Sequence, residues 1–406
     1  MKKRLLAVFL TAILCVSMFG GCKKQPSSQD GTSTGENSSD VTSEDVSSEA
    51  PTVPLSENLN KDMETMSVDD VFANMVTGIN IGNSLDSQNS RLIRLDPPYR
   101  FETAWNNPKI TQEWVDACID AGFNIIRIPV SWEEHLGPAP DYTIVESWMK
   151  RVQEVVDYAY NRGVYVILNN HHGSWNDPYY DNQEAICEQM KAIWTQIAER
   201  FKDYDEHLIF EGQNEPRKQG TNVEWTGGDK EGWDVVNASN KAFVEAVRST
   251  GGSNPYRILM VPGYAASSSS NAMSHLELID DDRLIISVHA YTPYNFALNV
   301  NGPGQWNNAT ADIDSLMKDI KTYFLDKGYR VIIGEYGAVN KDNEEERAAW
   351  ATYYLSKARE IGVPCLWWDN GSTTGNGEKL GLINRTTNEI SYPLIVDAIQ
   401  DVYDIK

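Results

Sequence analysis

The chain has 406 residues, with 35 Lys and Arg against 58 Asp and Glu, a formal net charge of −23, and 41% hydrophobic residues. That length suits one large domain with appendages, and the hydrophobic share is that of a packed globular protein. So acidic a chain repels phosphate backbones, which excludes nucleic acid as an expected partner, and it suits a neutral substrate and solubility outside a cell.

At the N-terminus, Lys2-Lys3-Arg4 forms a positive region, Leu5 to Phe19 a short apolar one, and Gly20-Gly21-Cys22 an exit of small residues. This is the layout of a secretory signal over residues 1–21, too short and too Gly-rich at its end for a spanning helix. The residues before Cys22 resemble a bacterial lipobox, with Phe19 where Leu is more usual. The expectation is cleavage before Cys22 and a lipid on its thiol; ordinary cleavage is the alternative. Residues 22–60 are rich in Ser, Thr, Asp, Glu, Gln and Pro, with almost no large apolar side chain. Such a segment cannot bury enough surface to offset its ordering entropy, so it reads as a tether. It would hold a catalytic domain, residues 61–406, off the cell surface as an extracellular, membrane-anchored lipoprotein, a monomer by default.

From about Val71 short apolar runs alternate with amphipathic patterns. Strands are expected at 78–82, 124–130, 165–171, 208–215, 258–263, 284–291, 331–336 and 365–369, all nearly continuous in apolar character, as strands buried on both faces must be. Helical spacing fills the gaps at 112–121, 144–162, 182–202, 233–250, 311–327 and 344–361, with Gly163 placed to end the second of these in a left-handed conformation. Eight β-α units over roughly 330 residues give a (β/α)8 TIM barrel with long βα loops forming an open cleft. A doubly wound sheet fits less well, because no Gly-rich phosphate loop follows the first strand. Cys118, Cys187 and Cys365 are an odd number without CxxC spacing, which predicts three buried thiols and no disulfide framework.

In such a barrel the C-terminal strand ends converge on one face. Reading only those ends collects Asn83, Arg127, His171, His172, Asn214, Glu215, His289, Tyr291, Glu335 and Trp368. Glu215 and Glu335 close two widely separated apolar runs, and two facing carboxylates are the minimum equipment for cleaving a glycosidic bond. Either Glu alone could equally be a salt-bridge member. Pro216 restrains Glu215 toward extended backbone, and Asn214 can donate its amide to a sugar hydroxyl. An Arg beside a carboxylate keeps it ionised, so Arg127 is expected beside Glu335, and Tyr336 is a candidate for shifting the pKa of Glu335. His171-His172 and His289 invite a metal, but adjacent residues on a strand point to opposite faces and no HExxH accompanies them, so neither metal nor cofactor is expected. Of the 12 Trp, Trp114, Trp148, Trp194 and Trp350 fall on helical patterns, whereas Trp105, Trp175, Trp225, Trp306 and Trp368 fall in loops or at a strand end. Flat rings pack under the apolar faces of β-linked glucose, so the latter set suggests a cleft for a β-glucan chain.

These motifs together, Asn83-Ser84-Leu85-Asp86, Arg127-Ile128-Pro129-Val130-Ser131-Trp132, Asn170-His171-His172, Asn214-Glu215-Pro216-Arg217, Trp225-Thr226-Gly227-Gly228, His289-Ala290-Tyr291, Gly334-Glu335-Tyr336-Gly337 and Trp367-Trp368-Asp369-Asn370-Gly371, resemble glycoside hydrolase family 5 of clan A, over about residues 66–403. The likeness is to its fourth subfamily, bacterial endo-β-1,4-glucanases and xyloglucanases. Gln213 and Asn170 depart from residues common there. The resemblance implies Glu215 as acid/base and Glu335 as nucleophile of a retaining double displacement. It implies Tyr291 against the nucleophile, and Arg127, His171, Asn214, His289 and Trp368 around the subsite next to the cleaved bond. His172 would sit one layer behind, and Asn83 and His135 would contact sugar from neighbouring loops. Retention requires carboxyl groups roughly 5–5.5 Å apart, with Glu215 raised in pKa and Glu335 ionised. Xyloglucan, mixed-linkage glucan or mannan hydrolysis on the same barrel, and a surface lipoprotein that binds glycan without turnover, are the rival expectations.

Overall fold

The computed structural model describes residues 63–405. The expected signal, its Cys22 and the tether to residue 60 lie outside the described residues. Eight strands form one closed barrel in chain order: β1 (Thr77–Ile81), β2 (Ile125–Ile128), β3 (Tyr165–Asn169), β4 (Leu208–Glu211), β5 (Leu259–Ser267), β6 (Leu284–His289), β7 (Arg330–Tyr336) and β8 (Cys365–Asp369). Every neighbouring pair is parallel, β8 with β1 included. Parallel neighbours require crossover connections, which the helices provide. The long ones, Glu146–Tyr160, Gln183–Arg200, Lys230–Arg248 and Glu344–Glu360, fall within three residues of their expected bounds at either end. Local chemistry sets several of those ends. The Asp229 carboxylate accepts the N–H of Gly232 and starts the helix Lys230–Arg248, and Gly163 takes a φ of 72° just beyond the helix Glu146–Tyr160.

Strand alternation divides the buried residues into two sets. Ile126, Val166, Phe210, Val261, Ile286, Val331 and Trp367 face outward into the main core against the helices. Ile125, Tyr165, Ile167, Ile209, Met260, Ile285, Ile332 and Leu366 fill the barrel interior, and Val68, Val71 and Met75 close its lower end. Above that apolar layer the inward positions turn polar. Two residues after Ile125, Ile209 and Ile285 come Arg127, Glu211 and Ser287, all fully buried. The barrel is thus a packed core at its base and a charged one at its mouth.

Several strands are shorter than their apolar runs. β4 stops at Glu211, so Asn214 and Glu215 stand on a short extension beyond the ladder, and His171 likewise lies past the end of β3. In β7, Val288 pairs with Ile333 but His289 pairs with Glu335, so one residue, Gly334, is extra. Without that bulge Glu335 would share the outward face of Ile333. With it, Glu335 turns inward beside His289, and Tyr336 turns outward onto Tyr354 and Trp367. The expectation that Tyr336 tunes Glu335 is therefore overturned: its ring belongs to the helix-facing core. Cys118 and Cys365 are buried free thiols as expected, whereas Cys187 is only partly buried.

At the opposite, N-terminal face the fully buried Arg257 donates to the carbonyls of Phe201, Tyr204, Asp205 and Leu208 at 2.7–3.1 Å and to Asn254 Oδ1 at 2.9 Å. It closes the end of the helix Gln183–Arg200 onto the start of β4. Arg257→Met leaves these acceptors unmet in the interior and is expected to cost about 3–5 kcal/mol of stability, read as a fall in denaturant midpoint. Activity per folded molecule should be unchanged, because this face is remote from the mouth.

Candidate active site

Arg127 is the residue around which the mouth is organised. Its guanidinium is fully buried and makes four hydrogen bonds: Nε to Glu211 Oε2 at 2.7 Å, Nη1 to Glu335 Oε1 and to Asn80 Oδ1 at 2.8 Å, and Nη2 to Asn214 Oδ1 at 2.8 Å. Burial disfavours its charge, but Glu211 and Glu335 overcome that and hold it above its ordinary pKa. Asn80 is itself fixed, donating to the carbonyls of Gly334, Leu366 and Trp367. Asn214 gives its oxygen to Arg127, which leaves its NH2 as the group it can offer another acceptor.

Glu335 receives Arg127 on one oxygen and the Tyr291 hydroxyl on the other at 2.9 Å. His289 Nδ1 lies between the two carboxylates, 2.8 Å from Glu215 Oε1 and 3.6 Å from Glu335 Oε2. Ligand atoms of Glu215, His289 and Glu335 all fall within 4.8 Å of one another. One oxygen of Glu215 and one of Glu335 therefore stand within 4.8 Å, nearer the roughly 5–5.5 Å of a retaining pair than the roughly 6.5–9.5 Å of an inverting one. Gly334 seats the histidine: a Cβ there would stand 3.1 Å from both His289 Nε2 and Ser287 Oγ. The Glu215 extension is held from β5, where Ala265 adopts a left-handed φ of 55° and donates its N–H to the Pro216 carbonyl at 2.9 Å. A non-Gly residue in that conformation stores strain that the surrounding structure must sustain.

The electrostatics differ from the expectation. Burial pushes Glu215 upward, yet the hydrogen bond and charge of His289, with Arg217 and His172 behind it, hold the carboxyl below its ordinary value. Burial also pushes Glu335 upward. There His289 and Arg127 pull back without cancelling it, and the charge of Glu215 adds to the rise. The raised carboxyl is Glu335, not Glu215. His289 is what reverses the order, since its proton is hydrogen-bonded to Glu215.

The remaining expected residues divide. Asn169 Oδ1 accepts the N–H of Val130, so its NH2 faces His171 Nδ1 at 3.0 Å and leaves the proton of that ring on Nε2. Burial, with the charges of His172 and Arg127, keeps His171 well below its ordinary pKa, and burial lowers His172 to about 4. Trp368 lies parallel to His171, ring centres 5.5 Å apart, over Gly82, where any Cβ would strike the indole at 2.7 Å. Asn83, at a φ of 55°, is pinned by Asp86, which accepts the N–H groups of Asn83 and Ser84. His135 is not presented to the mouth. It is 2% exposed, stacked on Trp148 at 3.7 Å and edge-on to Phe101, and burial lowers it to about 3. His171 and His172 do not point apart either. They stand past the end of β3, where alternation lapses, and their rings meet edge to face at 4.5 Å. Asp86, His171 and His172 thus gather within 4.8 Å, but both Asp86 oxygens are occupied by backbone N–H groups and His171 Nδ1 by Asn169. Of the loop tryptophans, Trp225 is 61% exposed with Arg217 stacked on one face at 4.2 Å, and Trp105 is 37% exposed near His172. Trp306 is buried against Tyr353, a correction to its placement in the cleft.

Sequence reasoning missed Asn80, Glu211, Ser287 and Arg217. Glu211 carried a signal: a charge directly after the apolar run Leu208–Phe210, in step with Ile209. Arg217 donates to the Glu215 carbonyl and stands 3.8 Å from its carboxylate.

The family description "Cellulase (glycosyl hydrolase family 5)" matches residues 91–374. The chain is 48% identical over 343 residues to Endoglucanase B of Neocallimastix patriciarum, covering 84% of this chain and 72% of that one. Among solved structures, it is similar to a GH5-4 broad specificity endoglucanase from Ruminococcus champanellensis with bound cellotriose, at 41% identity and a TM-score of 0.81, covering 84% of this chain and 99% of that one. A xyloglucan-specific endo-β-1,4-glucanase from a metagenomic library, in complex with cellotriose, matches at 44% identity and a TM-score of 0.79, covering 84% and 99%.

The electrostatics of the His289 pair have a measurable consequence. Burial opposes the His289 charge, but Glu335 and Glu215 outweigh it and raise the pKa above the ordinary 6.5. Its charged form therefore contributes stability that is full below pH 6.5 and is lost as the pH rises through the elevated folded value. The lowered Glu215 contributes above its ordinary 4.5, and that part is lost as the pH falls. The difference in Tm between wild type and His289→Asn should be widest between those limits and should shrink on moving to about pH 9. A constant difference across that range would show that the ion pair carries no charge-dependent stability.

Proposed function

The chain belongs to glycosyl hydrolase family 5, and from that membership we propose that Glu215 is the acid/base and Glu335 the nucleophile of a retaining endo-β-1,4-glucanase. The observation that carries this is the pair of carboxylates within 4.8 Å across the barrel mouth, one hydrogen-bonded to His289 and the other clamped by Arg127 and Tyr291.

A sugar ring enters over Trp368, with the Asn214 amide donating to its hydroxyl beside the anomeric carbon. Before attack the proton held on His289 Nδ1 crosses its 2.8 Å bond to Glu215 Oε1, which arms Glu215 as an acid and leaves a neutral imidazole. Glu335 attacks the anomeric carbon as Glu215 gives that proton to the departing oxygen. A glycosyl ester on Glu335 and a free chain end result. Water then attacks the ester, its proton passes to Glu215, and Glu335 is released as a carboxylate. Burial raises Glu335, so the nucleophile retains basicity, while Arg127 and Tyr291 fix where its oxygens point.

The likeness to a xyloglucan-specific enzyme at 44% identity supports a second substrate reading, branched β-1,4-glucan on the same barrel. Reducing-sugar release from carboxymethyl cellulose, xyloglucan, lichenan and mannan ranks these. All of it is expected to vanish in Glu335→Gln. Azide separates the two carboxylates. With an activated aryl cellobioside, Glu215→Ala should form the β-glycosyl azide and the corresponding Glu335→Ala the α-glycosyl azide. Glu215→Ala should lose about 10²–10⁴-fold on polysaccharide, where leaving-group protonation matters. An α-azide from Glu215→Ala would reverse the assignment.

Among the described residues no helix is long and apolar enough to cross a membrane. Attachment would instead come from a lipid on Cys22, which is supported by the sequence pattern before it. In the native host, Cys22→Ala should move the enzyme from the membrane fraction to the medium; retention on the membrane by the variant would sink the anchor.

A further inference from the structure

Glu211 is the last residue of β4 and is fully buried. It touches neither the open mouth nor a substrate position. Its two oxygens are nevertheless both engaged with the catalytic apparatus: Oε2 accepts Arg127 Nε at 2.7 Å and Oε1 accepts the Ser287 hydroxyl at 2.8 Å. Arg127 thus stands between two carboxylates, with Nε on Glu211 and Nη1 on Glu335 at 2.8 Å. Two consequences follow from that geometry. A guanidinium held through Nε cannot rotate about its own axis, so Nη1 and Nη2 are aimed at Glu335 and Asn214 by Glu211 on the opposite edge. And the Glu211 anion on the far edge opposes the Arg127 field at Glu335, so that carboxylate is stabilised less than by Arg127 alone.

We propose that Glu211 is a positioning residue for the nucleophile: it fixes the Arg127 fork and opposes its charge, so that Arg127 orients Glu335 without quenching its basicity. This rests on Glu335 being the nucleophile. The other ionisable groups that face Glu335 are His289 and Tyr291 from the end of β6, Glu215 beyond β4, and Glu378 from the loop after β8, whose charge is felt at both catalytic carboxylates. None of these contacts Arg127 Nε, so the effect of Glu211 on Glu335 is separable from theirs.

Glu211→Gln removes the charge and keeps the shape. Arg127 then remains paired with Glu335, so no isolated buried charge is created and the barrel should fold. The repulsion from Glu211 is gone, so Glu335 feels Arg127 unopposed and its pKa drops. The probe is a dinitrophenyl fluoro-cellobioside with fluorine beside the anomeric carbon, whose phenolate leaves without acid help, so its covalent labelling rate against pH follows the attacking carboxylate and the groups coupled to it, with no contribution from leaving-group protonation. For Glu211→Gln we expect the midpoint to fall by about one pH unit and the plateau rate to fall severalfold, as the nucleophile is less basic. Glu211→Asp keeps the charge but withdraws it by one methylene. It should label more slowly with the wild-type midpoint.

An unmoved or raised midpoint in Glu211→Gln overturns the charge-opposing role, and a wild-type rate in Glu211→Asp overturns the positioning role, even should the Gln variant not fold. Peptide masses identify the labelled residue. Label on a residue other than Glu335 in the wild-type enzyme overturns the nucleophile assignment itself, and the role of Glu211 with it.

Discussion

Everything at the mouth of this barrel depends on one buried guanidinium. Arg127 could not stand in the interior alone: taking a cation out of water costs several kcal/mol, and four short hydrogen bonds to acceptors on three strands or their extensions are what offset it. The same bonds distribute position. Asn80 from β1, Glu211 and Asn214 from β4 and beyond, and Glu335 from β7 are each located by contact with the same planar fork, whose geometry leaves little freedom. The catalytic constellation is therefore defined relative to one atom group rather than strand by strand.

That arrangement needs strand ends that depart from regular alternation. Gly334 inserts an extra residue so that Glu335 faces inward, and it leaves room for the His289 ring. Left-handed Ala265 turns an N–H onto the carbonyl of Pro216, next to the other carboxylate. Both irregularities lie at the C-terminal ends of strands, and the N-terminal ends are closed by apolar packing and by Arg257. Strain and buried charge sit at the mouth, and the base supplies the stability that sustains them.

His289 links position to protonation. It lies between two carboxylates close enough to titrate as a coupled set, and its hydrogen bond holds Glu215 low while burial and the Glu215 charge hold Glu335 high. A fixed assignment of one high and one low carboxyl pKa is thus too simple for this site.

The barrel itself was legible in the chain because strands buried on both faces must be apolar and helices on a barrel must be amphipathic; those two patterns appear at eight and six places and the elements form there. The reacting groups were legible as polar residues interrupting apolar runs at their C-terminal ends. What failed did so where one-dimensional spacing no longer sets direction. His171 and His172 alternate only if the strand continues, and it stops at Asn169. Tyr336 flanks Glu335 in the chain, but a one-residue bulge sends it to the other face. His135 follows a motif in sequence yet packs on Trp148, because the short helical turn it lies on turns inward. By itself the sequence determined the architecture, the carboxylate pair and the chemistry those imply, since each follows from composition and period. Only the tertiary structure decided that Arg127 is shared by two carboxylates, that Glu211 is one of them, and that His289 stands between Glu215 and Glu335. Those are matters of a few tenths of an ångström between residues up to two hundred positions apart, and no local pattern encodes them.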